Sequence, residues 1–181
     1  TPYLDLLHVL SELGITAAMV VAPAIIMLWW LHIGLKRKFQ PFRLTLAFTM
    51  GVLCVVPVAM IVLPVKELGS NFAFPFMDTA YRAFCSASMV EETFKLLALV
   101  SFVIITRAHK SPISIVVFGA AVALGFASFE NLMYVAEEGL ATAVIRALTA
   151  VPCHGCLGAI SGYYLAQFCF QKRFSALFKA W

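Results

Sequence analysis

Charged residues are scarce in this sequence of 181 residues: 12% are Asp, Glu, Lys or Arg, whereas 62% are hydrophobic. Soluble domains usually carry about 25% charged residues, so the composition excludes an ordinary soluble domain and indicates a membrane protein. The net charge of +4 lies in loops between apolar runs and forms no basic stripe, which argues against a nucleic-acid partner. The five cysteines are scattered through apolar segments and give no disulfide framework.

Long apolar runs predict an all-α fold, a polytopic transmembrane helix bundle that forms a single membrane-embedded domain over residues 1–181. A helix needs about 20 apolar residues to cross the hydrocarbon core. Arg146 and Pro152 divide the last run, so we expect an interfacial or re-entrant piece near 140–150 before the final span. About five spans are predicted, near residues 14–35, 44–65, 83–105, 113–136 and 152–170.

The charges of the loops predict the orientation of this bundle. Basic residues are concentrated in three segments, 36–43, 107–110 and 172–179, which alternate with segments poorer in cations. Cytoplasmic loops of membrane proteins carry the excess of Lys and Arg. We therefore expect the N-terminus outside and the C-terminus in the cytoplasm.

The segment "MVEETFKLLAL" at residues 89–99 places Glu91, Glu92 and Lys95 inside a predicted span. Each such charge costs roughly 2.5–3.5 kcal/mol near the bilayer centre on insertion scales, so the three residues are expected to serve a function. Lys95 can contact either glutamate, because the spacings are i,i+4 and i,i+3. The two glutamates point about 100° apart on a helix and are therefore expected to have different roles.

Three successive spans place ionisable residues at a similar depth. At 1.5 Å per residue, Glu91 lies about 12 Å below the outer end of the third span and Glu130 about 9 Å from the outer end of the fourth. His154 falls in the first turn of the fifth. A Glu–Lys pair alone often serves only to hold two helices together, but this convergence predicts one polar site in the outer half of the bilayer.

These motifs resemble the PrsW family of intramembrane proteases, relatives of the CAAX prenyl endopeptidase and bacteriocin-processing (CPBP) group. The resemblance covers residues 91–163, and the motifs occur in family order on successive spans. It implies a multi-pass hydrolase of the bacterial cytoplasmic membrane that cleaves a membrane-anchored protein such as an anti-sigma factor, on the extracytoplasmic side. The matching segments are "EETFK", "GFASFENLMY", Arg146 and "HGCLGAISGY".

The sequence also departs from the family pattern at two places. An acidic residue commonly precedes the "GAA" segment of relatives, whereas this chain has only Ser111 and Ser114 there. Relatives often carry a second histidine motif on a later helix, and none follows His154 before Trp181. Either the chain continues in the natural protein, or His154 suffices.

Two mechanisms of peptide hydrolysis remain open. Without a metal, Glu91 or Glu92 acts as general base, Glu130 shares a proton with it, and His154 and Asn131 orient water or support the oxyanion. Alternatively, Glu91, Glu130 and His154 hold Zn²⁺ with an open position for water. Because only one histidine is available, the metal-free form is slightly favoured. The supporting residues are Lys95, Asn131, Tyr134 and Arg146.

A different class of function would use the same buried charges. Intramembrane Glu, Lys and His side chains also form the pathways of proton- or cation-coupled transporters, and they occur in non-catalytic membrane scaffolds. Transporters usually show internal repeats or interrupted helices in corresponding halves, and no repeat is visible in this sequence. The expected partners are therefore the lipid bilayer and a membrane-anchored protein substrate.

Overall fold

The computed structural model describes residues 2–35, 40–68, 76–77, 81, 88–107 and 111–181 of the chain. Within these ranges the regular elements are helices and none is a strand, which confirms the predicted all-α fold. In chain order, the helices are α1 (Pro2–Gly34), α2 (Pro41–Leu68), α3 (Met89–Thr106), α4 (Pro112–Glu138), α5 (Leu140–Leu148), α6 (Ala150–Gln171) and α7 (Phe174–Ala180).

Among the described residues, four helical segments are long and apolar enough to cross a membrane. Helix α3 is not one of them: it has 18 residues and carries Glu91, Glu92 and Lys95 in its first two turns. The predicted start of that span at residue 83 lies outside the described residues, as do Lys36 to Lys38 and Lys110 of the basic loops. Five spans and an external N-terminus therefore remain predictions. The four segments are Leu10–Gly34, Pro41–Val65, Pro112–Glu138 and Leu140–Gln171.

The last apolar run is divided in two by Thr149, whose φ of −119° and ψ of −72° interrupt the helix between α5 and α6. Pro152 lies in the first turn of α6, where a missing N–H leaves no hydrogen bond unmade. The short helix α5 is fixed to the bundle by Ala143, which is buried against Val20 of α1 and Val135 of α4. It thereby carries Arg146 towards the end of α4.

Helix α4 is the centre of the bundle. Every residue from Val117 to Ser128 is buried, and a helix that is apolar and buried on all faces belongs to a core rather than a surface. It packs most extensively against α6, through Gly119 and Gly158. A Cβ on Gly158 would collide with the Gly119 carbonyl oxygen and the Cβ of Ala123. Small residues therefore set the distance between the two helices that carry Glu130 and His154.

We predict that Gly158→Ala destabilises the protein by about 1–3 kcal/mol, the usual cost of forcing an extra methyl group into a well-packed interior. The matched control is Gly14→Ala on α1, where an added Cβ meets no atom within 4 Å. Thermal unfolding in detergent micelles compares the two variants. Equal stability of both variants would contradict the close contact of α4 and α6.

Candidate active site

The first turns of α3 present two carboxylates and a buried lysine. Lys95 is only 5% exposed, and its Nζ lies 2.8 Å from Glu92 Oε1 and 3.6 Å from Glu91 Oε2. Carboxylates near a helix N-terminus are stabilised by the helix dipole, and the ammonium group compensates the remaining charge. The two glutamates are thus distinct: Glu92 makes the closer ion pair with Lys95.

Lys95 also joins α3 to the two helices beside it. Its Nζ lies 3.0 Å from His154 Nδ1 on α6 and 4.2 Å from the centre of the Phe126 ring on α4. A cation over an aromatic face is attracted by the ring quadrupole, and more strongly when both are removed from water. Sequence reasoning assigned Phe126 no role, although it precedes Glu130 by four residues and therefore shares its helix face.

Glu130 is held from two sides through a single oxygen atom. Its Oε2 accepts a hydrogen bond of 2.7 Å from Arg146 Nη2 and lies 3.1 Å from His154 Nε2. Arg146 Nε donates to Asn131 Oδ1 at 3.0 Å, and its guanidinium group stacks 4.0 Å above the Tyr134 ring. Arg146 on the short helix α5 therefore contacts three side chains in the C-terminal part of α4, those of Glu130, Asn131 and Tyr134.

These contacts determine where the proton of His154 lies. An ammonium group can only donate hydrogen bonds, so His154 Nδ1 must accept from Lys95. The proton of a neutral imidazole is then on Nε2, which donates to Glu130 Oε2. Both ring nitrogens of His154 are therefore occupied in this arrangement.

The site residues named from the sequence lie in one connected network. Glu91, Glu130 and His154 come from three helices, and each offers an oxygen or nitrogen atom within 4.8 Å of the others. Their side chains are 15–18% exposed, so the cluster is mostly buried but retains some contact with its surroundings. Beside it, a cleft of about 170 Å³ is lined by Ser88, Met89, Glu92 and Trp181.

Two features near the cluster were not expected from the sequence. The Trp181 indole donates a hydrogen bond of 2.5 Å to Thr93 Oγ1, next to Glu92. The amide nitrogen Nδ2 of Asn131 is buried and has no hydrogen-bond partner among the described residues. No local sequence signal could have revealed either feature, because both depend on how α7 and α5 pack against the bundle.

The family assignment rests on similarity along most of the chain. The model of the "PrsW family intramembrane metalloprotease" matches residues 40–181, which include every residue of the network. The chain belongs to the PrsW family. The transporter and scaffold alternatives are therefore not favoured, and the network is the candidate active site of an intramembrane protease.

Several curated relatives share the name "Protease PrsW". The one from Bacillus subtilis (strain 168) is 32% identical over 159 residues, which are 86% of this chain and 68% of the relative. That from Geobacillus kaustophilus is 33% identical over 156 residues, 84% of this chain and 67% of the relative. That from Clostridioides difficile is 26% identical over 169 residues, which are 88% of this chain and 70% of the relative. No solved structure matches the chain.

We predict that Arg146→Met destabilises the protein by about 3–5 kcal/mol, because it leaves the carboxylate of Glu130 without its closest cation. Adding Glu130→Gln to the same chain should recover part of the loss, since the uncompensated charge is then gone. Unfolding in detergent measures both. Glu137→Gln, an exposed position on the same helix, should change little; a double variant no more stable than Arg146→Met would show that the pair is not electrostatically coupled.

Proposed function

We propose that this chain hydrolyses a peptide bond of a membrane-anchored protein, within the outer half of a bacterial cytoplasmic membrane. The observation that carries the proposal is the approach of Glu91, Glu130 and His154 to within 4.8 Å of one another. Their side chains come from the N-terminal ends of α3 and α6 and the C-terminal end of α4, which lie together at one end of the bundle. The predicted orientation places that end outside.

The donor set fits a catalytic divalent metal ion, with zinc as the leading candidate. Zinc binds imidazole nitrogen and carboxylate oxygen at about 2.0–2.2 Å, which places tetrahedral ligand atoms about 3.3–3.6 Å apart. His154 Nε2 and Glu130 Oε2 are already 3.1 Å apart, and Glu91 completes a group whose ligand atoms all lie within 4.8 Å of one another. We therefore prefer the metal-assisted form to the metal-free form, in keeping with the family description as metalloproteases.

Glu92 is the carboxylate left for proton transfer. It stands outside the ligand group, is 21% exposed and borders the cleft with Ser88 and Met89. A metal at Glu91, Glu130 and His154 would polarise the scissile carbonyl and acidify water. Glu92, oriented by Lys95, accepts the proton of the attacking water and returns it to the leaving amine. Arg146 and Asn131 act indirectly, by holding Glu130.

The substrate must expose its backbone before it can be cut. Carbonyl groups of a transmembrane helix are hydrogen-bonded within the helix, and breaking these bonds in hydrocarbon costs several kcal/mol per group. A site at one end of the bundle reduces this cost, because water can reach the unwound segment there. A single-span protein suits this site, and the family resemblance suggests an anti-sigma factor.

Substitution of the two adjacent glutamates is predicted to impair different properties, zinc binding for Glu91 and peptide cleavage for Glu92. Glu91→Gln removes a ligand and should weaken zinc binding by more than about 100-fold, since even outer-shell changes cost 10–100-fold. Glu92→Gln should leave zinc binding intact and lower cleavage by about 10²–10⁴-fold, the usual contribution of a general base. Zinc titration of purified protein measures the first effect. Co-expression with a candidate single-span anti-sigma factor measures the second.

Two results would contradict this division of roles. Full cleavage by a folded Glu92→Gln variant would exclude Glu92 as the base. Undiminished cleavage by wild-type protein stripped of metal with a chelator would exclude the metal-assisted mechanism, while leaving the protease assignment in place. Glu137→Gln serves as control for the loss of one exposed carboxylate.

The position of the cut is a separate prediction. We expect cleavage in the outer third of the substrate's span or just outside it, near helix-weakening Gly, Pro or Asn residues, because exposed backbone is hydrated there. Moving these residues to the cytoplasmic third should abolish processing. Mass spectrometry of the released fragments maps the cut. A cut in the cytoplasmic half would contradict both the depth of the site and the predicted orientation.

A further inference from the structure

Lys95 and a metal ion on Nε2 require different tautomers of the same histidine, because Lys95 contacts Nδ1 and Nε2 is the nitrogen beside Glu130. We infer that the Lys95 ammonium group is a built-in competitor of the metal: it holds His154 in a form that cannot bind zinc through Nε2, and metal binding displaces it onto Glu92. This inference rests on the metal site proposed above. It assigns Lys95 a positioning role that the ion pair with the glutamates alone does not require.

The first step of the argument is the position of the imidazole proton. Lys95 Nζ donates to His154 Nδ1 at 3.0 Å, so the ring proton lies on Nε2. A metal binds the lone pair of a ring nitrogen, and the other nitrogen then carries the proton. His154 Nε2 is the nitrogen within 3.1 Å of Glu130 Oε2, so a zinc ion bound there would require the ring proton to be on Nδ1.

The second step is the resulting conflict between donors. With the proton on His154 Nδ1, this N–H would face an N–H of the Lys95 ammonium group, and neither group has a lone pair to offer. The contact of 3.0 Å then changes from a hydrogen bond to a repulsion. Lys95 and Nε2-bound zinc are therefore mutually exclusive partners of His154.

The third step is that other partners for the Lys95 ammonium group are already in contact with it. Its Nζ already lies 2.8 Å from Glu92 Oε1 and 3.6 Å from Glu91 Oε2. When Glu91 becomes a metal ligand, Glu92 remains as the partner of the ammonium group, and the Phe126 ring still lies beneath it at 4.2 Å. Lys95 would therefore keep its ion pair with the proposed general base when the metal site is filled.

Competition of this kind has a measurable consequence. The apparent affinity of a ligand is its intrinsic affinity multiplied by the fraction of protein that is competent to bind it. If the contact between Lys95 and His154 is formed about nine-tenths of the time, about one tenth of the protein is competent and zinc binding is about tenfold weaker. Lys95→Met removes the competing donor and keeps most of the length of the side chain. We expect this variant to bind Zn²⁺ at least about tenfold more tightly than the wild type, by titration in detergent micelles against a chromophoric chelator.

A second measurement is made on the wild-type protein and needs no substitution of Lys95. Long-range ¹H–¹⁵N NMR of histidine-labelled protein reports which ring nitrogen carries the proton, and a His154→Ala spectrum assigns the signal. We expect His154 to carry its proton on Nε2 without metal and on Nδ1 with Zn²⁺. Loss of a nearby positive charge would by itself raise zinc affinity, but it would not require the ring proton to be on Nε2 in the metal-free protein.

Each outcome decides the inference. Tighter zinc binding by Lys95→Met together with the tautomer change supports it. Equal zinc binding by wild type and Lys95→Met, or an Nδ1 proton in the metal-free wild type, overturns the competition and leaves the metal site intact. If neither protein binds Zn²⁺ while both are folded, the metal site itself is wrong and this inference fails with it.

Discussion

Charge compensation between neighbouring helices is the constraint on which this structure depends. An ionised side chain inside a bilayer is tolerated only when a partner or water replaces its hydration. Here Lys95, His154, Glu130 and Arg146 form a continuous series of contacts of 2.7–3.1 Å across α3, α6, α4 and α5. Each of these helices therefore supplies a group that another one needs. The contacts that compensate the charges of the polar site are therefore the same contacts that hold these helix ends together.

Helix packing supplies the distances that this series of contacts requires. Gly119 and Gly158 allow α4 and α6 to approach closely, and His154 lies one turn before Gly158 on α6. Glu130 lies three turns beyond Gly119 on α4. A wider separation would place the imidazole out of reach of the carboxylate, because neither side chain is long enough to compensate. Small residues at a contact without charged side chains thus fix the geometry of the contact between Glu130 and His154.

The sequence was sufficient to predict the helical class and the residues that meet, because helix direction and the rise per residue place Glu91, Glu130 and His154 at one depth. It was insufficient to predict which side chains of the cluster pair with one another. Spacings of i,i+3 and i,i+4 allow Lys95 to bind either glutamate equally, whereas the structure has 2.8 Å to Glu92 and 3.6 Å to Glu91. That difference, like the place of Phe126 beneath Lys95, arises from helix rotation and side-chain rotamers, which only tertiary packing determines.

The charges of the cluster are matched to the reaction proposed for it. When all three carboxylates are ionised, Glu91, Glu92 and Glu130 together with the cations Lys95 and Arg146 sum to one negative charge. A divalent cation would change this balance to one positive charge. Amide hydrolysis develops one negative charge on the carbonyl oxygen in its transition state, and a preorganised positive site stabilises that charge where little water can do so. In the proposed metal-bound form, removal of either permanent cation would make the cluster neutral before the reaction begins, so Lys95 and Arg146 would support the transition state as well as the fold.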